Sequence, residues 1–447
     1  MRRRLAEETV LFISIIKWVV LATFIGIIVG LSTTLFLKML NWSTAFSGKY
    51  NYYFLILPLA LFLSALMIKY LAPDAEGHGT EKVIEAVHKH AGKIKAAVIP
   101  VKLITTIITI AAGGSAGKEG PCAQIGGGLS SVAADIFRFD DKDRRKLVIC
   151  GISAGFASVF GTPIAGAIFG VEVLFVGSIL YDVLLPSFIA GIISYHVSSS
   201  LGITYFHGQI NLIPIFSNAF FIKVVLSGIF FGLCAAFMIE ILKLAEKLSN
   251  KVRVWKPLKG LIGGFAIVVL ALIFSKQYLG LGLDTIQSCL QGVNIIWYAF
   301  ILKIIFTSVT LNFGGSGGIV TPIFFVGSAA GVVFAKFLGL DVATFAAIGM
   351  VSLLAGAANT PIAASIMAVE LFGPTVAPYA TLGCIISFLM TGHRSVYPSQ
   401  VLAVKKSSSI EVETGKVIEE LYPEYHPRRK SLTGMLLRII KIIKGRI

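Results

Sequence analysis

Apolar residues run through this chain in about ten long stretches, near 11–37, 52–71, 96–112, 147–175, 183–204, 219–242, 261–281, 294–311, 318–339 and 345–391. A straight membrane span takes about 20 apolar residues. Several of the stretches are shorter than that, and others are long but cut by glycine and proline. The pattern predicts an all-α membrane protein with tilted and broken helices. A broken helix survives at membrane depth only where it is buried in protein or lines a cavity, so the breaks point to an internal site.

Composition sharpens this reading. Of 447 residues, 56% are hydrophobic and 14% charged, against roughly 25% charged in soluble proteins; mean hydropathy is +0.85. The net charge of +16 would suggest nucleic acid in a soluble chain, but no basic stretch is interleaved with exposed aromatics. Basic clusters instead punctuate the apolar runs at 2–4, 142–146, 251–259 and from Arg428 onward. The positive-inside rule reads them as cytoplasmic loops, with both termini in the cytoplasm and an even number of complete crossings. No partnership with nucleic acid is expected. The apolar run near the start is too long for a cleavable signal and reads as the first membrane helix. After Val404 the chain turns polar: residues 1–404 form the membrane domain, and 405–447 a short cytoplasmic tail without a regulatory domain. Within the tail, 432–447 carries an apolar face with basic residues and would lie along a membrane surface.

The glycines are organised by a repeat. GGSAGKEGP at 113–121 aligns with GGSGGIVTP at 314–322, an offset of 201; GTPIAGAIFGVE at 161–172 aligns with NTPIAASIMAVE at 359–370, an offset of 198. Lys102 and Lys303 share the first offset. Two motifs in the same order at nearly the same spacing make the chain two copies of one unit, at about 50–205 and 219–404. Duplicated units with interrupted helices place a binding site near the bilayer midplane, where the repeats meet.

A glycine-rich break just before a half-helix leaves backbone N–H groups free at the helix start, where the aligned peptide dipoles add roughly half a positive charge. Such an end attracts an anion without holding it as tightly as a buried cation. Glu119 lies at the first break, where its carboxylate would compete with an anion for the same N–H groups. An ionisable residue at that depth costs about 2.5–3.5 kcal/mol even on permissive scales. Its charged form would occupy the pore and its protonated form swing away. The remaining chemistry is sparse. Cys122, Cys150, Cys234, Cys289 and Cys384 have no CxxC spacing, so no disulfide framework or metal site follows. His88 and His90 read as a solvated loop face. No Ser/His/Asp, HExxH or paired-carboxylate set stands at usable spacing, which argues against an enzyme. Uptake of an organic solute would use similar duplicated broken helices.

GKEGP at 117–121, GGIVTP at 317–322, the paired TPIAG and TPIAA segments and Tyr397 together resemble the CLC chloride channel and transporter family over roughly residues 15–405. The resemblance implies a CLC-type fold of two inverted repeats and a homodimer in the cell membrane, each subunit with its own pore. No cofactor is implied beyond a chloride ion bound in the pore. It puts the gate on Glu119 and anion contacts on Lys118, Gly120, Ile319, Val320 and the Tyr397 hydroxyl. Gly117, Pro121, Gly317, Gly318 and Pro322 complete the filter motifs. The family's other filter motif, often GSGIP, is matched here by GHGTE at 77–81. His78 thus stands for the pore serine and Glu81 for the proline. Neutral histidine donates an N–H to an anion, and it becomes cationic as pH falls. Exchangers of the family commonly carry a proton-transfer glutamate just after the position of Glu172, where this chain has Val173. Glu172 and its repeat partner Glu370 then read as structural. These features imply a passive chloride channel gated by Glu119, with proton-coupled anion exchange as the alternative. The proline of GKEGP argues against a fluoride-exporting branch.

Overall fold

Helix ends in this chain are set by short, repeated local signals. Asp140 accepts a bond from the Asp143 N–H (2.8 Å), and Asp341, 201 residues on, does the same for Thr344 (2.8 Å). These are N-caps, which satisfy a donor that the first helical turn leaves free. At the other end of the same two helices Gly161 (φ 71°) and Asn359 (φ 56°) adopt the left-handed conformation that closes a helix. In each case a Thr-Pro pair follows, with proline opening the next helix, where its missing N–H costs nothing.

The computed structural model describes residues 2–205, 218–425 and Gly434. Sixteen α-helices lie among them. The first eight are α1 (Arg2–Ser47), α2 (Leu57–Leu71), α3 (Thr80–Lys89), α4 (Val98–Ala111), α5 (Glu119–Ile136), α6 (Asp141–Phe160), α7 (Pro163–Glu172) and α8 (Tyr181–Ser200). The second eight are α9 (Asn218–Lys251), α10 (Lys256–Ile273), α11 (Leu283–Leu290), α12 (Ala299–Asn312), α13 (Val320–Leu338), α14 (Val342–Ala358), α15 (Pro361–Phe372) and α16 (Ala377–Met390). The two series correspond element by element, so the duplication extends further than the motifs show. The counterpart of α9 is α1, which moves the start of the first repeat from about 50 to the beginning of the chain. The break motifs lie far downstream of α1, but Gly26 and Gly30 of α1 pack on α8 just as Gly228 and Gly232 of α9, 202 residues on, pack on α16.

Among the described residues, six helices are long and apolar enough to cross a membrane, and six more are apolar but only 10–17 residues long. The apolar run at 147–175 divides at Gly161 into α6 and α7. That at 345–391 divides near Asn359 and Gly373 into α14, α15 and α16. Hydropathy alone does not show these cuts, because the breaking residues are themselves small and uncharged.

Paired helices approach through glycine. A Cβ on Gly126 of α5 would stand 2.3 Å from the Gly151 oxygen of α6, and one on Gly327 of α13 would stand 2.4 Å from the Gly349 oxygen of α14. Small residues are what lets apolar helices pack this closely in lipid. The repeats are stapled together by reciprocal carboxylate caps. Glu172, ending α7, accepts from the Ile362 and Ala363 N–H groups of α15 (3.0 and 2.8 Å). Glu370, in the last turn of α15, accepts from Ile164 and Ala165 of α7 (2.9 and 2.8 Å). That is the architectural role expected of the pair.

The start of the tail is docked on the helical body. Strand β1 (Phe175–Val176) pairs in parallel with β2 (Val401–Leu402), and β3 (Ile410–Glu411) pairs antiparallel with β4 (Glu424–Tyr425). Val176, Leu402, Val412 and Ile418 close a small apolar cluster beneath them. The basic residues from Arg428 and the amphipathic segment 432–447 lie outside the described residues, Gly434 excepted.

Candidate functional site

The helices before the two breaks carry hydroxyls that hold the opposite break. The Ser115 N–H donates to Thr310 Oγ1 on α12 (3.0 Å), and the Ser316 N–H to Thr109 Oγ1 on α4 (3.1 Å). The serine hydroxyls meet Thr307 (2.9 Å) and Thr106 (3.2 Å) in the same crossed fashion. Between them, Gly117 and Gly318 exchange two backbone hydrogen bonds of 2.7 and 2.6 Å. The breaks of the two repeats therefore meet directly, and the starts of α5 and α13 lie at that meeting point. Each start presents the unsatisfied N–H groups and positive dipole end of a helix.

Glu119 opens α5 and is fully buried. Its carboxylate does not stay on its own helix. It takes the Thr321 N–H of α13 (3.1 Å to Oε2) and the Thr321 hydroxyl on Oε1. A Cβ on Gly117 would lie 2.5 Å from Glu119 Oε2, and one on Gly318 would lie 2.7 Å from the Gly120 nitrogen. Glycine at these two places is what lets the carboxylate and the helix starts come together. Lys118 caps α5 and is half-buried; among the described residues no ion pair joins it to Glu119. Ile319 and Val320, buried, begin α13, and Pro121 and Pro322 each fall in a first turn where no helical hydrogen bond is lost. Gly317 packs on Ala116, whose Cβ would be 2.3 Å from an added Cβ.

The loop at 77–79 closes on the same point. A Cβ on Gly120 would sit 2.0 Å from the His78 oxygen, and one on Gly79 2.5 Å from the Gly120 oxygen. The loop is clamped from behind by Lys102, fully buried, whose ammonium donates to the Ala75 (3.1 Å) and Gly77 (2.6 Å) carbonyls. Lys303 does the same for Tyr278 (3.1 Å) and Gly280 (2.9 Å) in the second repeat. The His78 ring lies 5.7 Å from that of Tyr397. Tyr397 is placed by its N–H to Ser395 Oγ (2.9 Å) and by Gln400, whose amide reaches the carbonyls of Val173 (2.7 Å) and Ala358 (2.8 Å). Tyr397 Oη and His78 Nδ1 are both buried without a protein hydrogen-bond partner. A buried orphan of this kind costs about 1–3 kcal/mol unless water or an ion satisfies it. Two unpartnered polar atoms on adjacent rings, near two helix starts and a carboxylate, are the kind of groups that can hold a small anion in competition with Glu119.

The structure thus gathers Glu119, Gly117, Gly120, Gly317, Gly318, His78 and Tyr397. Thr321 was missed in the sequence. Its hydroxyl stands out within an apolar motif, but its partnership with Glu119 spans 202 residues. His88 is not on a solvated loop but half-buried within α3, where it bonds the Leu174 carbonyl (3.0 Å); the described residues hold no metal-ligating cluster.

Residues 59–392 match the family described as voltage gated chloride channel. The chain belongs to this family, the CLC proteins. A chloride/fluoride channel protein of Pseudomonas syringae pv. tomato is 35% identical over 407 residues, 89% of each chain. An H(+)/Cl(-) exchange transporter, ClcA, of Klebsiella pneumoniae is 26% identical over 390 residues, 78% of this chain and 80% of its own. The crystal structure of a CLC-type fluoride/proton antiporter superposes with a TM-score of 0.82 at 28% identity, covering 86% of this chain and 98% of that one. The CLC fold of two inverted repeats is shared with it. CLC proteins are transporters or channels of anions, not enzymes.

Proposed function

We propose that this CLC protein exchanges protons for a small halide, with Glu119 as the group that couples them. One observation carries the reading: the Glu119 carboxylate occupies the N-terminal donors of α13, the kind of position an anion would take. Protonation removes the charge that holds it there. An anion and a proton are then linked, since each favours the state in which the carboxylate has left those donors.

Val173 favours the passive channel, because valine carries no proton. Relatives described as antiporters weigh more, among them the 28%-identical structure and the ClcA exchanger. The same likenesses outweigh the argument from Pro121 against fluoride, since two of them name that ion. Fluoride, the strongest hydrogen-bond acceptor among halides, suits a site built on a histidine N–H and a tyrosine hydroxyl. The exchanger would work as a homodimer in the cell membrane, with both termini in the cytoplasm, an anion resting between Tyr397, His78, Gly120, Ile319 and Val320, and the Lys118 ammonium at its approach.

The test is a flux assay on the purified chain in liposomes, run with chloride, fluoride and nitrate. An imposed anion gradient should drive protons against their own gradient. Anion current with a reversal potential that ignores pH would return the channel reading.

A further inference from the structure

A second carboxylate stands beside the anion path, and the exchange reading leaves it unused. Glu81 lies in the first turn of α3, directly after the His78 loop. Its Oε1 accepts the N–H of Ser399 (3.0 Å), two residues beyond Tyr397. Glu81 therefore bridges the two segments that carry His78 and Tyr397. Its Oε2 is sealed from solvent with no protein partner, as are His78 Nδ1 and Tyr397 Oη. The first turn of α3 thus carries an unpartnered carboxylate oxygen beside the two segments that hold the unpartnered His78 and Tyr397 atoms.

Lys82 and Glu85, which flank Glu81 on α3, line an outer cleft. Glu85 lies one turn further along α3, on the same face. It pairs with Lys82 (2.9 Å) and Lys89 (3.5 Å) and lines a cleft of about 730 Å³ together with His90, Lys93, Gln124 and Asp135. Buried Gln124 has its Oε1 without a partner there as well. The charged and titratable groups around Glu81 are Lys82 and Glu85 from its own helix, Lys102 from α4 behind His78, His78 itself, and Tyr397, which feels both Glu81 and Glu119. In the second repeat the corresponding acid, Asp284 in the first turn of α11, is exposed. A shared role at a helix start would not require the first copy alone to be half-buried with an oxygen sealed from solvent.

We propose that Glu81 is the inner proton-transfer residue of this exchanger, in place of the carboxylate that Val173 cannot supply; the inference rests on the exchange reading. A proton arriving from bulk water as hydronium is taken up by the Glu81 carboxylate, forming the neutral acid and releasing water. Glu81 passes that proton through water beside His78 and Tyr397 to the Glu119 carboxylate, and is itself a carboxylate again. Glu119, now neutral, leaves the donors of α13 to the anion.

Two variants in liposomes decide the matter, with anion and proton movement recorded together. Glu81→Gln keeps the shape and removes the proton. Glu81→Pro installs the residue that the family's filter motif has there, in a first turn that accepts it. Both should pass anions while coupled proton movement falls at least about tenfold, and Glu81→Asp should restore part of it. An unchanged proton-to-anion ratio in either would overturn the proposal. So would loss of both fluxes in both variants, which would make Glu81 structural. Wild-type anion flux with no proton movement would be a different failure, that of the exchange reading itself.

Discussion

Glu172 and Glu370 occupy the same place in the two repeats, and each caps a helix of the other. Glu119 also reaches across to the opposite repeat and takes an N–H at a helix start, but its counterpart is Val320, which carries no charge. The local chemistry is the same in both cases, a carboxylate on free backbone donors. The difference is symmetry. A duplicated fold uses reciprocal pairs to hold its halves together, so the roles of Glu172, Glu370, Lys102 and Lys303 are shared by construction. Where the copies part company, at Glu119 against Val320 and half-buried Glu81 against exposed Asp284, architecture does not explain the residue. Function collects at those positions.

The sharpest way to break this contrast is Glu119→Gln. It mimics the neutral gate, so anion flux should become insensitive to pH and proton coupling should vanish. Strong pH control persisting in the variant would remove Glu119 from the mechanism. Gly120→Ala comes next. The new methyl would land 2.0 Å from the His78 oxygen, an overlap costing about 1–3 kcal/mol, and anion flux should collapse although the chain still inserts and folds. Near-normal flux would mean that the loop at 77–79 yields freely.

The symmetric side is probed by stability. Glu172→Ala and Glu370→Ala each strand two helix-start donors and should cost about 2–3 kcal/mol, read as a lower unfolding midpoint in detergent. Glu172, the more buried of the two, should cost more. A similar fall in midpoint is expected for Lys102→Met and Lys303→Met, yet only Lys102→Met should also reduce flux per folded protein, because only its loop carries a pore residue. Equal flux losses would contradict the division drawn here. The smallest effect is expected of Thr321→Val. Removing one hydroxyl bond to the carboxylate, about 1 kcal/mol, should let the gate leave more readily and raise flux by a few-fold at neutral pH.

Much of this was legible along the chain. Motif spacing showed the duplication, and a glutamate in a glycine break at membrane depth singled out Glu119. The symmetric reading of Glu172 and Glu370 followed from their shared offset. Other features were not legible. The reach of the repeat back to α1 rests on a short match, GIIVGL at 26–31 against GIFFGL at 228–233, which stands out only once both helices are seen packing on the last helix of their own repeat through those glycines. The role of Thr321 depends on a helix 202 residues from Glu119. Glu81 looked only like a missing proline, since a lone acid at a helix start is ordinary.

Local rules acting over a few residues are written in the sequence itself: which stretches are apolar, where glycine, asparagine and Thr-Pro end one helix and begin the next, and that the pattern occurs twice. These determined a membrane protein with breaks suited to an anion. Tertiary structure alone decided which donors each carboxylate meets. The Glu119 carboxylate rests on the start of α13 rather than in an ion pair with Lys118, because Gly117 and Gly318 pair across the repeats and bring two helix starts to one point. The half-buried Glu81 carboxylate is held by the N–H of Ser399, more than 300 residues away. Burial and hydrogen bonding set how a carboxylate holds its charge, and both belong to the packing of distant segments.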